Sequence, residues 1–570
     1  MRARRDRAGQ SALSALPAEV ISRGFEPSAR NGGFRWMSTG DVRAREDWAG
    51  QSALSALPAE GISRGFEPSA RSGGLRWMSA GDSMTHPFSR REWLIAALIA
   101  AVVAGVAVYA LVSRPTYLDS PDLTLPATVT PSHLYWMPMS ALLSGAAMAA
   151  FGVSMDAAQI PMVTCLAGAL LVAVLAGGWV TQTRRGAWLA LALAAASGGF
   201  VDMWGEIDTF APYALFGGLA LAAMVAGRDR GRLWLWAAAG ILGGLGHLTR
   251  SDGLLLPIVG VLAALTAPRR RLLSAVAVAA GYGITMAPWF ARMMGVVGAP
   301  LPLGGLQTAY LTDYAQIFAY PWRTLSLGGV GIGPLLQSRV EPLLINLGVF
   351  AVAQGNLLLW PFMLWGLFRA RRHVWITVGL FALGLHAAMT FVFAWPGARG
   401  GLFHGAAALV PWWAALTAYG VNALARRLSR RQPRRATLNW IVVAALALLI
   451  GGFMTALSMT PASGGAPAYI EAIRPYVSAD DRVASVDPPE IAYWLGAGGV
   501  VLPYASPDVL SHLAEDFDLD LLIVTGVEDG GDGATSEALP EPLRPLLAAL
   551  PPSLVLEADL GRTRIYRFVR

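Results

Sequence analysis

The sequence predicts an α-helical polytopic membrane protein with about eleven transmembrane helices and a small soluble α/β domain at its C-terminal end. The 570 residues are 55% hydrophobic and 14% charged, whereas soluble domains carry about 25% charged residues. Apolar stretches long enough to cross a bilayer, about 20 residues, also recur with short polar connections between them. Composition and spacing therefore both indicate a bilayer as the solvent of most of the chain.

The first 83 residues contain a duplication and are predicted to carry no function. Residues 6–41 and 47–82 are nearly identical copies, and neither copy has an apolar period. Stable repeat arrays need about three or more units to bury a core. We interpret residues 1–83 as a duplicated upstream stretch translated from an early start codon, with Met84 as the true start. A disordered tail is the alternative.

Residues 84–459 form the predicted transmembrane domain. The spans read from the apolar runs are 93–113, 158–181, 186–201, 211–227, 232–249, 253–267, 271–290, 343–368, 374–395, 405–425 and 438–459. Segment 134–152 is also apolar, but it is predicted to be an interfacial or re-entrant helix. Tyr135 and Trp136 suit the headgroup level, and Pro138 suits a first helical turn. A true crossing by this segment is the alternative.

The arginines decide the predicted orientation. They cluster at residues 90–91, 184–185, 228–232, 269–271, 369–372 and 426–435, which all lie on one side of the membrane in this arrangement of spans. The loops of the other side carry single arginines and most of the acidic residues. Cytoplasmic loops are enriched in Lys and Arg, so the N-terminus is predicted to be cytoplasmic and the C-terminal domain external. This topology also explains the pI near 9.7 without a nucleic-acid partner.

Residues 460–570 are predicted to form an external acidic α/β domain. From Pro461 onwards the chain has 17 acidic and seven basic residues, a net charge of −10. Candidate strands are 482–487, 500–504, 520–526, 553–560 and 563–569, and a helix is predicted over 507–517. The domain has no catalytic motif, and two roles stay open for it, covering a site on the membrane domain or binding an acceptor.

Candidate functional residues lie in the predicted outer loops, where ionisable groups adjoin apolar spans. Such groups are costly near a membrane and tend to be functional. In chain order they are Asp119, Asp122, His133, Tyr135, Trp136, Glu206, Asp208, Arg250, Asp252, Arg292, Asp313, Arg399 and His404. Structural roles are the alternative for several of them: Glu206 and Asp208 suit a helix N-terminus, and Arg250 and Asp252 suit a local ion pair.

Some site types are excluded by the sequence. It has no metal-ligand spacing, no phosphate-binding glycine loop and no nucleophile elbow, so no metal or other cofactor is specified. The single cysteine, Cys165, excludes a disulfide framework and lies in an apolar run, where a small buried side chain is the simplest interpretation. These residues alone do not separate an enzyme from a transporter.

The loop motifs resemble those of the GT-C superfamily of membrane glycosyltransferases, in particular bacterial family-39-like members. The resemblance covers about 91–459 and depends on SHLYWMPMSALL, FGVSMDAAQIP, DTFAPYALFGGLAL, HLTRSDGLLLP, APWFAR with the following PLP and LTDY, and PGARGGLFH. Together these motifs are moderately specific, and singly they are weak. The first outer loop is shorter than is usual in the family, which leaves the choice of base between Asp119 and Asp122 open.

The resemblance implies a function. It implies transfer of a sugar from a polyprenyl-phosphate donor to an acceptor glycan, lipid or protein at the external face of a bacterial plasma membrane. An acidic residue of the first outer loop, Asp119 or Asp122 with Asp119 preferred, would be the catalytic base. Arg250, Arg292, Arg399 and His404 would hold the donor phosphate.

Two other classes of function remain alternatives, a secondary transporter and a non-catalytic membrane assembly protein. Transporters are often built from internal repeats with a site at the membrane midplane. The predicted spans show no internal repeat, and their charges concentrate at one face. An enzyme is therefore preferred.

Overall fold

The computed structural model describes residues 86–112, 137–301, 305, 307–318, 325–370, 372–430, 432–458, 466–503, 507–525 and 550–569. The duplicated segment 1–83 lies outside these residues. The larger part of the described chain is a bundle of helices, and the C-terminal part is a sheet with short helices on both faces.

The bundle consists of helices that follow one another closely along the chain. They are α1 (Arg90–Val112), α2 (Met139–Phe151), α3 (Met155–Thr181), α4 (Arg184–Ala195), α5 (Phe210–Arg230), α6 (Leu233–Thr249), α7 (Leu255–Leu265), α8 (Arg271–Val297), α9 (Val340–Gly348), α10 (Trp360–Arg369), α11 (Leu380–Ala387), α12 (Val410–Ser429) and α13 (Ala436–Ser458). The π-helical turns Val349–Gln354, Trp375–Gly379 and Ala388–Val392 extend α9 and α11.

Local sequence explains where these helices begin and end. The side chain of Ser154 accepts a hydrogen bond from the backbone N–H of Ala157 at 3.1 Å and so caps α3. Thr183 caps α4 in the same way through the N–H of Gly186, at 3.0 Å. Helix α5 ends at Gly231, whose φ of 64° lies in the left-handed region that glycine adopts without strain. Cap chemistry therefore sets boundaries that the apolar pattern leaves open.

Six helices among the described residues are long and apolar enough to cross a membrane. They are Met155–Thr181, Phe210–Arg230, Arg271–Val296, Ile332–Gln354, Trp375–Val392 and Pro433–Ser458. The predicted count of about eleven is not confirmed. Helices α4, α6 and α7 coincide with predicted spans but have 12, 17 and 11 residues, so at about 1.5 Å per residue they are shorter than a hydrocarbon core of about 30 Å.

One predicted span is not a single helix. Segment 343–368 is divided at Gly355–Leu359, where Asn356 and Leu357 have positive φ values of 43° and 58°. Asn adopts the left-handed region more readily than most residues, whereas Leu rarely does, and hydropathy does not report this break. Segment 134–152 contains α2, whose 13 residues span about 20 Å, a length that suits the predicted interfacial helix better than a crossing.

The arginine-rich loops meet at one end of the bundle. Arg184, at the start of α4, pairs with Glu92 of α1 at 3.3 Å. The guanidinium of Arg185 lies 5.5 Å from the ring centroid of Trp440 in α13. Arg228, at the end of α5, donates to the carbonyl of Ala263 and to the hydroxyl of Thr266. These residues define the arginine-rich end of the bundle, and α5 begins at the opposite end.

Reporter fusions test the membrane orientation that these ends imply. We expect fusions at the arginine-rich end to report the cytoplasm, because positively charged loops are retained there. The fusion points are Arg185, Arg232, Arg271, Arg372 and Arg435. Fusions after Asp208, Gly298 and Gly465 should report the external side. An external signal at Arg185 would make segment 134–152 a true crossing and overturn the loop assignment.

The C-terminal part has the five predicted strands in one mixed sheet. They are β1 (Arg482–Ser485), β2 (Gly498–Val501), β3 (Leu521–Thr525), β4 (Leu554–Asp559) and β5 (Thr563–Phe568), in the spatial order β2-β1-β3-β5-β4. Strands β1, β2 and β3 are parallel, whereas β5 is antiparallel to β3 and β4. Helices α14 (Ala468–Ile473) and α15 (Pro488–Leu495) and, on the other face, α16 (Val509–Phe517) cover the sheet.

Candidate functional site

The opposite end of the bundle brings several predicted site residues together. Five candidates lie outside the described residues, so their positions stay predictions: Asp119, Asp122, His133, Tyr135 and Trp136. The other eight are described, and four of them form two neighbouring buried pairs between α5, α6 and α12. These two pairs define the site.

The first pair joins Arg250 and Asp252 in the turn between α6 and α7. The Nε of Arg250 donates to Oδ1 of Asp252 at 2.8 Å, and the two side chains are only 14% and 5% exposed. The same guanidinium donates to the hydroxyl of Thr209 at 3.2 Å and to the carbonyl of Gly401 at 3.4 Å. It also lies 5.9 Å from the ring centroid of Tyr213. Arg250 is thus engaged by three separate segments of the chain.

The second pair joins Asp208 and His404. Oδ2 of Asp208 lies 3.7 Å from Nε2 of His404, and the side chains are 10% and 13% exposed. Asp208 precedes the first turn of α5, and its carboxylate accepts from the backbone N–H of Thr209. The His404 ring lies beside Phe210, with 4.1 Å between centroids. The carboxylate of Asp208 therefore accepts a hydrogen bond at the start of α5 and also lies beside a histidine that is 196 residues away in the sequence.

Two buried oxygen atoms of this cluster have no hydrogen-bond partner among the described residues. They are Oδ2 of Asp252 and the hydroxyl of Tyr213. Asp252 also lies against Gly405, because a Cβ at that glycine would come within 2.2 Å of Oδ2. An unpaired carboxylate oxygen is costly to bury, and such groups in native proteins usually have a structural or functional cause. The unpaired Oδ2 of Asp252 therefore indicates a role for this cluster beyond that of a structural ion pair.

Arg399 lies in an irregular segment just before α12. Within Gly397–Gly401 the backbone of Arg399 (φ −91°, ψ 28°) and of Gly400 (φ 114°) departs from helical geometry. The positive φ requires glycine, since other residues are strained there. The guanidinium of Arg399 lies 5.6 Å from the ring centroid of Tyr314, and its Nε has no hydrogen-bond partner among the described residues. Gly397–Gly401 is thus a local bulge in the chain, the 397–401 bulge.

Arg292 and Arg339, two further described arginines predicted to lie in outer loops, have other surroundings. Arg292 lies near the end of α8, with its guanidinium 5.0 Å from the ring centroid of Trp289 and one nitrogen 3.6 Å from the sulfur of Met293. Arg339 is 7% exposed and donates to the carbonyls of Ala309, Leu311 and Phe391, at 2.6, 2.7 and 3.3 Å. Arg339 thus holds the backbone before Tyr314, which is a structural role.

Glu206 and Asp313 are the two remaining acidic candidates among the described residues. Glu206 is half-buried in the turn before α5, where its carbonyl accepts from the N–H of Asp208 at 2.8 Å. Asp313 is exposed one residue before Tyr314. Within the described ranges, no three His, Cys, Asp or Glu residues are grouped in a way that could hold a metal ion. The candidate site consists of the charged and aromatic side chains at the opposite end of the bundle.

The C-terminal domain contacts the bundle beside this cluster. Tyr493 of α15 packs with Met148, Ala157 and Ile207, and Ile207 directly precedes Asp208. On the same helix Glu490 accepts a hydrogen bond from the hydroxyl of Tyr469. Burial, together with the nearby carboxylate of Glu490, raises the pKa of Asp487 to about 6, so this edge carries closely spaced acids. The sequence does not predict α15, because its eight residues begin with two prolines.

Several residues of the cluster were not predicted from the sequence. Thr209, Tyr213, Tyr314 and the carbonyl of Gly401 all contact a predicted arginine. Hydroxyl and aromatic residues are common in apolar helices, so their type alone indicates nothing. Thr209 and Tyr213 lie within a few residues of Asp208, and Tyr314 follows Asp313. This position in the sequence is the only signal that could have identified them.

The chain is similar to known proteins in structure and not in sequence. No family model matches the sequence, and no curated protein matches it. The oligosaccharyltransferase AglB from Archaeoglobus fulgidus, solved with an inhibitory peptide and a dolichol-phosphate, matches with 14% identity and a TM-score of 0.51 over 76% of this chain and 69% of that chain. The same oligosaccharyltransferase solved with Zn and sulfate matches with 15% identity and a TM-score of 0.51, over 75% and 68% of the two chains.

A further similar structure is ArnT from Cupriavidus metallidurans bound to undecaprenyl phosphate. It matches with 14% identity and a TM-score of 0.48, over 84% of this chain and 98% of that chain. At these identities the AglB match shows the fold alone, and at that level it agrees with the membrane-glycosyltransferase architecture that the sequence resemblance implied.

Proposed function

We propose that this chain is a membrane glycosyltransferase that transfers a sugar from a polyprenyl-phosphate donor to an acceptor hydroxyl at the external face. The supporting observation is the buried cluster of Arg250, Asp252, Asp208 and His404 at the end of the bundle opposite the arginine-rich loops. Ionisable side chains beside apolar helices are expensive, and they commonly mark a substrate site. The AglB fold supports the same class of reaction, because that protein was solved with a dolichol-phosphate.

Arg399 is the preferred ligand of the donor phosphate among the predicted arginines. The guanidinium of Arg250 is already engaged by Asp252, Thr209 and Gly401. Arg399 instead lies over Tyr314, and its Nε has no hydrogen-bond partner in the described part of the chain. A guanidinium binds two phosphate oxygens through its planar fork. Arg292 and His404 stay secondary candidates for the same phosphate.

The proposed reaction needs a base and a leaving group. The carboxylate of Asp119 or Asp122 takes the proton of the acceptor hydroxyl, whose oxygen attacks the anomeric carbon. The bond from that carbon to the phosphate oxygen breaks, and the polyprenyl phosphate leaves with the electron pair. Positive charge develops on the sugar ring as in glycoside hydrolysis, and the arginine fork stabilises the negative charge of the departing phosphate. Protons, charges and bonds therefore balance without an added cofactor.

Replacing Arg399 tests the phosphate assignment. We expect Arg399→Ala to weaken binding of a polyprenyl-phosphate sugar by roughly ten- to a hundredfold, because one charge-assisted hydrogen bond contributes about 1.5–3 kcal/mol. Arg399→Lys should restore part of the affinity, since it keeps the charge but loses the fork. Binding and transfer are measured with purified protein in nanodiscs.

Arg230→Ala is the matched control, because Arg230 is an exposed arginine at the arginine-rich end. This variant should bind and transfer like the wild type. Wild-type donor affinity in both Arg399 variants would show that the phosphate assignment is wrong. Movement of an intact donor or sugar across a vesicle membrane, with no transferred product, would favour the transporter alternative over an enzyme.

A further inference from the structure

Arg250 connects three segments that are remote in sequence. Its Nε reaches Asp252 in the turn between α6 and α7, at 2.8 Å. One terminal nitrogen reaches Thr209, which directly precedes α5, at 3.2 Å, and the other reaches the carbonyl of Gly401 at 3.4 Å. With an exposed fraction of 14%, the side chain lies inside the protein and not on its outer surface. Through these three hydrogen bonds Arg250 forms a bracket, that is, a side-chain link between the start of α5, the turn between α6 and α7, and Gly401.

Gly401 is the last residue of the 397–401 bulge, two residues after Arg399. Arg399 and Gly400 have non-helical backbone angles, so regular helical hydrogen bonds do not define their conformation. Tertiary contacts must then hold this segment in place. One contact is the close approach of Gly397 to Met389, where a Cβ would lie 1.9 Å from the Met389 carbonyl oxygen. The hydrogen bond from Arg250 to Gly401 is the second, at the other end of the bulge.

The Asp252 end of the bracket is held equally closely. A Cβ at Gly405 would come within 2.2 Å of Oδ2 of Asp252, so the turn and the chain before α12 are in direct contact. A Cβ at Gly253 would likewise come within 2.4 Å of the Gly246 carbonyl oxygen, which presses the turn against the end of α6. The Asp252 end of the bracket is therefore tightly packed against α6 and against the chain before α12.

We infer that Arg250 is a positioning residue that sets the place of Arg399, and that it does not itself bind the donor phosphate. This inference rests on the proposed function and changes the role that the family resemblance implies for Arg250. Its hydrogen bonds use one N–H on each of the three guanidinium nitrogens, three of the five donors, and fix the plane of the fork toward protein oxygens. Arg399, two residues from Gly401, has instead an Nε without a partner in the described residues. Donor affinity should then depend on Arg250 only through Arg399.

A double-mutant cycle measures this dependence. The variants are Arg250→Lys, Arg399→Ala and both together, and the probe is undecaprenyl phosphate in nanodiscs. Arg250→Lys keeps the charge beside Asp252 but cannot make all three fork contacts, and we expect it to weaken binding by about tenfold. In the Arg399→Ala background the same change should have an effect below about twofold, because contacting residues couple and the positioned group is gone.

Two further variants separate positioning from general destabilisation. Thr209→Val removes one arm of the bracket and leaves Arg250 in place, so a smaller loss of about threefold is expected, again only when Arg399 is present. Arg228→Lys is the matched control. Arg228 is a 4% exposed arginine that donates to Ala263 and Thr266 at the arginine-rich end, so its replacement should lower Tm but leave probe affinity unchanged.

The outcomes distinguish this inference from the proposed function. A loss of probe affinity in Arg250→Lys and Thr209→Val that is absent in the Arg399→Ala background supports the positioning role. If Arg399→Ala weakens binding and Arg250→Lys multiplies that loss, Arg250 contacts the phosphate directly; the inference is then wrong while the proposed function stands. If Arg399→Ala binds the probe like the wild type, the phosphate assignment of the proposed function fails, and the inference fails with it.

Discussion

Replacing Asp119 and Asp122 together by asparagine is expected to lower the rate of sugar transfer by about 10²–10⁴-fold, the usual contribution of a general base. Asparagine keeps the size of the side chain but cannot take the proton of the acceptor hydroxyl. Binding of the donor should stay close to that of the wild type, because its phosphate is held by arginine. The measurements are transfer from a polyprenyl-phosphate sugar and donor affinity, both in nanodiscs.

The single variants identify which carboxylate is the base. We expect Asp119→Asn to account for most of the loss, as Asp119 lies closer to α1 in the sequence. Asp229→Asn is the control, since Asp229 lies at the arginine-rich end between Arg228 and Arg230. Transfer at the wild-type rate by the double variant, with normal thermal stability, would exclude both aspartates and direct attention to Asp208.

Replacing Arg250 by methionine is expected to lower the free energy of unfolding by about 3–5 kcal/mol, as is found when one partner of a buried ion pair is removed. The reason is the partner, Asp252, whose side chain is 5% exposed and whose Oδ2 already has no hydrogen-bond partner among the described residues. Without Arg250 the carboxylate would be a buried charge with no cation. Thermal and denaturant unfolding in detergent measure the loss.

The double variant Arg250→Met/Asp252→Asn tests this explanation. Because it removes both charges, it should recover most of the stability that Arg250→Met loses, although donor affinity should stay low since the contact with Gly401 is still missing. A double variant as unstable as Arg250→Met would show that the hydrogen bonds to Thr209 and Gly401, and not the buried charge of Asp252, account for the effect.

Most of the architecture could be predicted from the sequence. The apolar stretches correspond to helices, and the five strands of the C-terminal domain occur where alternating apolar residues predict them. The count of spans and the break at Gly355–Leu359 could not be predicted in this way. Short helices such as α4 and α7 are shielded by neighbours, so hydropathy alone does not decide whether they cross.

The sequence by itself determined three properties of this protein: a membrane environment, an asymmetric distribution of arginines between the two ends, and a set of polar residues at the opposite end. These follow from composition and from the periodicity of apolar residues, which are local properties of the chain. It also restricted the candidate residues to a few loops, as ionisable groups are costly elsewhere. It did not determine which of those groups interact.

Only the tertiary structure decided the partners. Asp208 and His404 are 196 residues apart, and Arg250 and Gly401 are 151 apart, yet helix packing brings each pair into contact. The same packing assigns different surroundings to chemically identical side chains: Arg250 and Arg339 hold backbone and side-chain oxygens, whereas Arg399 lies over an aromatic ring. Hydrogen bonds and charges act over a few ångströms, so the role of each arginine depends on its neighbours in space, and these are set by the packing of remote helices.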